Sequence, residues 1–280
     1  GGSNWITPEK VLKSLSLIEK GKVYELGFPY YRGMPLLGQR TYSMIIPGTP
    51  TGGPYSGTDM VYNDDFLCTE IGQIGTQFDG PGHIGKRMKM EDGTVKDVFY
   101  NGYTLDEMKS PYEFRKLGVE NVKPYITRGI LIDIAGYKGV DTLPDGYAVT
   151  IEDVRKTLEK QKIDERNITP GDAILFNFGW WRVIGNAEKY KSFNWPGIDA
   201  EVVKWLIEKK ASMIGSDSSG DPPKQAGVHH ELIMKNGIFN LEFMTFEELL
   251  ADKVYEFLFI FTPLRFKGAT GSPGRPIAIH

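Results

Sequence analysis

Short apolar runs alternate with amphipathic helical stretches along most of this chain, and that interleaving restricts its fold more than any other feature. Gly129 to Ala135 (Gly-Ile-Leu-Ile-Asp-Ile-Ala) is rich in β-branched residues and reads as a buried strand. Thr150 then stands at a cap position. The helix after it sets Ile151, Val154 and Leu158 on one face, with Asp153 in its first turn. The turn Thr169-Pro170-Gly171-Asp172 leads into a strand over Ala173 to Phe178. A helix follows from Gly197 to Ala211 with Val203, Leu206 and Ile207 inward, then a strand over Ser212 to Asp217 that ends in a polar loop. Runs at Ile238 to Met244 and Phe257 to Phe261 complete the set, with Thr245 and Glu248 spaced as a capping box between them. Both element types are interleaved, so the expected class is α/β.

The N-terminal part is different. Val11, Leu12, Leu15 and Ile18 predict a helix over about residues 7–20, and Val23-Tyr24-Glu25-Leu26 a short strand. From Gly27 to Pro54 the text is rich in Gly, Pro and Tyr, and a loop of that length suits a lid or a partner contact; we expect it to cross to a neighbouring subunit. Its Phe28, Tyr30 and Tyr31 suit either a pocket wall or ordinary surface packing. No low-complexity linker divides the 280 residues, so one domain over 1–280 is expected. Net charge is −3 with no run of Lys or Arg, which argues against a nucleic-acid partner. Cys68 is the single cysteine; it excludes an internal disulfide and reads as a small packing residue. Nothing reads as a signal peptide and no apolar stretch is long enough to span a bilayer, so a cytoplasmic protein with no membrane partner is expected.

One segment concentrates chemistry: Gln73-Ile-Gly-Thr-Gln77-Phe-Asp79-Gly-Pro-Gly-His83. Its glycines and proline argue against a helix, so it reads as a structured loop leaving a strand. Asp79 and His83, four apart, are by themselves no more than a hydrogen-bonded turn. Glu242 adds weight, because a carboxylate inside the apolar run 238–244 is costly to bury unless it is paired or binds metal. The alternative is simple alternation, with Glu242 on a solvated face. Asp79, His83, His230 and Glu242 together form an N/O donor set suited to a divalent ion. Other motifs fail. Gly80 to Arg87 lacks the hydroxyl residue of a phosphate loop and carries Pro81, and no Gly-x-Ser-x-Gly elbow exists. His230-Glu231 lacks the second helical histidine of a zinc protease. The loop Gly215 to Gly220 is polar enough for a site, but its serines have no base partner.

The Gln73–His83 segment resembles the signature His-x-Gly-Thr-His-x-Asp-x-Pro-x-His of the cyclase family that includes kynurenine formamidases and isatin hydrolases. Gly75, Thr76, Asp79, Pro81 and His83 match in place. The likeness continues through Val23–Leu26, Gly171-Asp172 to Gly179-Trp180, Pro196-Gly197, Gly215-Ser216-Asp217, Pro263-Leu264 and Gly271 to Pro276. It implies a swivelling β/β/α domain with a barrel-like mixed sheet flanked by helices, assembled as a homodimer or homotetramer. It also implies a zinc or manganese ion whose activated water opens an amide, cyclic amide or lactone of a small-molecule substrate.

Carried over by position, Asp79, His83, His230 and Glu242 are the expected ligands, His230 being preferred to His229 for its spacing of twelve from Glu242. His83, Asp79 and Glu242 are the expected catalytic groups. Gln73 and Gln77 stand where the family has histidines, and a neutral amide oxygen is a weaker, harder ligand than imidazole. One divalent ion is therefore expected rather than two: manganese or zinc, with magnesium a further option for so oxygen-rich a set. Two alternatives stay open, a metal-free site in which Asp79 holds His83 as general base, and an inactive ligand-binding protein. Gln73, Gln77, Trp180 and Tyr30 are the expected substrate contacts, with Trp181 and Trp195 as further walls. Tryptophan is equally at home in a core.

Overall fold

In the computed structural model, which describes residues 1–47, 53–54, 57–223 and 227–280, nine strands form one curled mixed sheet. They are β1 (Val23–Glu25), β2 (Gln77–Asp79), β3 (Tyr125–Asp133), β4 (Ala173–Asn177), β5 (Met213–Ser216), β6 (Phe239–Glu242), β7 (Glu256–Phe261), β8 (Gly271–Pro273) and β9 (Ile277–Ile279). Their spatial order is β1-β9-β7-β3-β4-β5-β6-β2-β8. The centre, β3 to β6, is parallel, and every other pairing is antiparallel. This is the barrel-like mixed sheet with flanking helices that the sequence led us to expect.

The strand text is apolar on both faces because both faces are covered. Ile130, Ile132, Ile174 and Phe176 pack under α2 (Ile151–Lys160) and α3 (Ala200–Glu208), against Val154, Leu158, Val202 and Leu206. The alternate residues Leu131, Leu175 and Leu241 turn to the inside of the curl with Phe78, Phe257, Phe259 and Phe261. At β6 and β2 the helix-side pattern breaks. There the positions opposite Leu241 and Phe78 are Asn240, Glu242, Gln77 and Asp79, all buried.

Thr150 caps α2 as its sequence predicts, and the cap is a full capping box: Thr150 Oγ1 accepts from Asp153 N and Asp153 Oδ2 accepts from Thr150 N, each at 3.2 Å. Elsewhere the boundaries shift. Asp199 caps α3 by accepting from Val202 N at 2.9 Å, so the helix begins at Ala200, and Gly197–Ile198 instead pairs with Ala148–Val149. Thr245 donates its backbone N–H to Leu26 O (3.0 Å), and α4 (Glu247–Asp252) starts from Phe246 without the Thr245–Glu248 box. The N-terminal helix α1 (Pro8–Leu15) is shorter than predicted, and Leu12, Leu15 and Ile18 are exposed. Lys10 moors it, reaching the buried carboxylate of Asp172 and Thr169 Oγ1 (2.9 Å).

Two readings of the loops are corrected. The 27–54 stretch contains a strand, Tyr42–Ile45, which forms a hairpin with Phe66–Thr69; its residues 48–52 lie outside the described residues. Cys68 is exposed on that hairpin rather than packed. The signature segment is not wholly a loop either. Gln77-Phe78-Asp79 is a strand between β6 and β8, because Phe78 alternates into the core and both neighbours supply backbone partners.

Candidate metal centre

Register sets the site. Across the antiparallel β6–β2 pair, Asn240 lies opposite Asp79 and Glu242 opposite Gln77, so four polar side chains share one patch of the helix-side face. Two features hold the ends of these strands. Gly75 has φ +51°, and a Cβ there would come within 2.4 Å of the Tyr30 ring, so glycine is required where the chain turns into β2. Thr76 then donates through Oγ1 to Phe243 O at 2.7 Å and accepts from Phe28 N at 2.9 Å. Phe243, next to Glu242, itself adopts a left-handed φ of 51°.

His229 completes the patch from the helical turn that leads into a π-helical segment, His230–Lys235. Its Nε2 lies 2.7 Å from Glu242 Oε1 and 3.2 Å from Asp79 Oδ2. One donor atom each from Asp79, His229 and Glu242 fall within 4.8 Å of one another, a spread that one divalent ion spans. The donor chemistry fits such an ion: two buried carboxylate oxygens and one imidazole nitrogen converge on one point, with the ring of His83 alongside. Asn240 adds to the fit, since its Nδ2 donates to Ser219 O (3.0 Å) and Glu242 Oε1 (3.1 Å) while its Oδ1 is buried with no partner among the described residues.

The electrostatics reflect that crowding. Burial, then the neighbouring Asp79 charge, push the Glu242 carboxyl up to about 7 against the pull of His229. Burial also opposes the charge on Asp79, but His83, His229 and the Gln73 amide outweigh it and hold Asp79 below the usual carboxylate range. Burial alone lowers His229; the carboxylates of Asp221, Asp79 and Glu242 around it raise it well above an ordinary imidazole.

The structure brings Asp79, Glu242, His83, Gln73 and Gln77 together, with limits. His83 stands beside the three converging donors rather than among them, its Nε2 at 3.6 Å from Asp79 Oδ1 and its ring partly exposed. Both glutamines act as donors. Gln73 Nε2 reaches Asp79 Oδ1 at 2.8 Å, and Arg40 fixes that amide by donating to its Oε1 at 2.9 Å. Gln77 Nε2 reaches Glu242 Oε2 at 2.8 Å. Each glutamine thus offers its amide nitrogen to a carboxylate, and Gln73 Oε1 is turned to Arg40.

His230 is the main correction. Successive residues of a helical turn point about 100° apart, so His229 and His230 cannot both face the patch. His229 takes it, and His230 turns to a surface cavity of about 910 Å³ lined also by Lys86, Lys204 and Glu231. Trp180 and Trp195 belong to the core: Trp180 is buried, and Trp195 packs edge-on against Phe243 at 5.7 Å. Tyr30 donates its hydroxyl to Thr76 O, and burial pushes that phenol up to about 12. Arg40, Asn240 and Asp221 escaped the sequence reading. Asn240 alone carried a signal, as the second polar residue in the apolar run that holds Glu242.

Comparison with known proteins adds to this geometry. A crystal structure described as a novel cyclase is 29% identical, with TM-score 0.86, over 100% of this chain and 94% of its own. Isatin hydrolase A from Ralstonia solanacearum is 19% identical, with TM-score 0.64 and 92% of each chain covered. A structure described as a potential metal-dependent hydrolase with cyclase activity is 16% identical, with TM-score 0.56, over 92% of this chain and 98% of its own. No match was found among curated proteins. The profile of the family described as "Putative cyclase" matches residues 24–220, from β1 through the signature strand to the loop after β5, and the chain belongs to that cyclase family.

Proposed function

We propose that the protein is a metal-dependent hydrolase that opens a small amide, cyclic amide or lactone. The observation that carries this reading is the convergence of Asp79, His229 and Glu242 within 4.8 Å in a buried patch. The names of structural neighbours, isatin hydrolase and potential metal-dependent hydrolase, agree with it. Asp79, His229 and Glu242 would hold one divalent ion, manganese, zinc or magnesium. Such an ion polarises a carbonyl and makes water more acidic near neutral pH. His83, beside the donor set and partly exposed, passes a proton to the leaving nitrogen or oxygen, and Asp79 orients it. Gln73 and Gln77 keep the outer carboxylate oxygens occupied, so that the remaining ones point at a single position.

A second reading rests on those same amides. Because Gln73 and Gln77 already satisfy one oxygen of each carboxylate, the patch can also serve a site without an ion. Asp79 and His83 would then be an acid–base pair, or the site would only bind a ligand.

The assembly is proposed as a homodimer or homotetramer, with the Tyr42–Ile45/Phe66–Thr69 hairpin reaching a second copy. Met44, Ile45, Phe66 and Leu67 of this two-stranded unit are all exposed, and an isolated hairpin with bare apolar faces is marginal in water.

Turnover tests the main reading. Protein supplied with Mn²⁺ or Zn²⁺ is assayed on aryl formamides, cyclic amides and lactones. Hydrolysis that disappears in Asp79→Asn and Glu242→Gln, with folding retained, supports it. Metal-loaded protein that turns over none of these classes contradicts it.

A further inference from the structure

The polar loop after β5 had no role in the sequence, and its serines turn out to be builders. Ser216 Oγ donates to Ser218 O at 2.8 Å, Ser218 Oγ donates to Pro196 O at 2.7 Å, and Gly220 N donates to Ser218 Oγ at 3.0 Å. Asp217, wholly buried, accepts from Phe178 N (2.9 Å) and Trp181 N (3.2 Å), and Ser219 O accepts from Asn240. A loop pinned at so many points is a rigid mount. It ends at Asp221, whose Oδ2 lies 2.9 Å from His229 Nδ1, close though bent away from a straight hydrogen bond. Carboxylates therefore flank the imidazole on both sides, Asp221 near Nδ1 and Asp79 and Glu242 at Nε2.

We infer that Asp221 is the positioning residue of the metal centre: its carboxylate holds the proton of His229 on Nδ1, so that Nε2 is the nitrogen offered to the ion. A histidine ligand whose far nitrogen donates to a carboxylate has a fixed ring, a fixed tautomer and greater basicity. Asp221 is suited to this because, among the described residues, its Oδ1 has no hydrogen-bond partner. Its side chain, 28% exposed, closes the outer side of His229, whose own side chain is 12% exposed. The inference rests on the single-ion reading above.

Two measurements test it together. Mn²⁺ affinity is taken by calorimetric titration for wild type, Asp221→Asn and Asp221→Ala, alongside the melting temperature of each metal-free protein. Asp221→Ala is expected to raise the dissociation constant about 10- to 100-fold, and Asp221→Asn, which keeps an acceptor but no charge, by less. Metal-free melting temperatures are expected to stay close to wild type. Unchanged affinity in a folded variant overturns the role. Nitrogen NMR of ¹⁵N-histidine-labelled wild type loaded with Zn²⁺ needs no variant: protonation of His229 at Nδ1 supports the role, and protonation at Nε2 overturns it. If wild type binds no ion, the hydrolase reading falls and the Asp221 role falls with it. If wild type binds an ion and the variants bind it equally, only the Asp221 role falls.

Discussion

Gln77 and Glu242 face each other directly across the β2–β6 pair, and the amide Nε2 of one donates to Oε2 of the other at 2.8 Å in a fully buried setting. Removing that donor strands a carboxylate oxygen away from water. Gln77→Leu is expected to destabilise the metal-free protein by about 1–3 kcal/mol, the cost of an unsatisfied buried polar group. Urea denaturation in the presence of a chelator measures it. A loss of under about 0.5 kcal/mol would mean that the pair is not formed as described.

The two adjacent histidines separate cleanly. His229→Ala removes one of the three converging donors and is expected to abolish metal binding and hydrolysis. His230→Ala, altering the cavity beside Lys86, is expected to leave metal affinity within about threefold, less than 1 kcal/mol. Titration of both variants with Mn²⁺ reads the difference, and the reverse ranking would restore His230 as the ligand.

Asp217 gives stability a pH dependence of known sign. Burial pushes its carboxyl up to about 7, against the backbone N–H groups of Phe178 and Trp181 that favour its charged form. A carboxyl raised above its unfolded value stabilises the fold fully below the unfolded pKa, near 4, and loses that contribution as pH rises through the folded one. The difference in unfolding free energy between wild type and Asp217→Asn should therefore shift against wild type between about pH 4 and 7. The slope is at most about 1.4 kcal/mol per pH unit, and the difference is level above about pH 8. Denaturation at four or five pH values checks it; a flat difference would show that Asp217 is not raised.

The exposed hairpin makes the assembly testable. Charging it with Phe66→Glu and Leu67→Glu is expected to convert the proposed oligomer to monomer without loss of secondary structure, because both side chains are exposed in the single chain. Light scattering after size exclusion gives the mass. An unchanged oligomeric mass places the contact elsewhere.

How much the sequence disclosed depended on the kind of signal. The parallel centre was legible because its strands are continuous apolar runs covered on both faces, and α2 was legible because Thr150 and Asp153 spell its cap. The strand Gln77–Asp79 was hidden, since two of its three residues are polar and it lies between Gly75 and Gly80; only the pairing with β6 and β8 makes it a strand. Asp79, His83 and Glu242 were brought out by the resemblance of the signature segment and its ordered matches, since by residue type alone Asp79 and His83 read as a hydrogen-bonded turn. The choice of His229 over His230 was not, because spacing along the chain does not record rotation about a helical turn. Arg40 and Asp221 were invisible for a related reason: each acts on a residue distant or differently placed in sequence, Gln73 and His229, and only folding brings them together.

The proposed hydrolase stands or falls with one divalent ion held by Asp79, His229 and Glu242. Elemental analysis of protein purified without chelator or added metal, expressed as atoms per chain, tests it most directly. About one manganese, zinc or magnesium per chain is expected, falling to background in Asp79→Asn and Glu242→Gln. Wild type that carries no such ion, and gains neither bound metal nor melting temperature when metals are supplied, would contradict it.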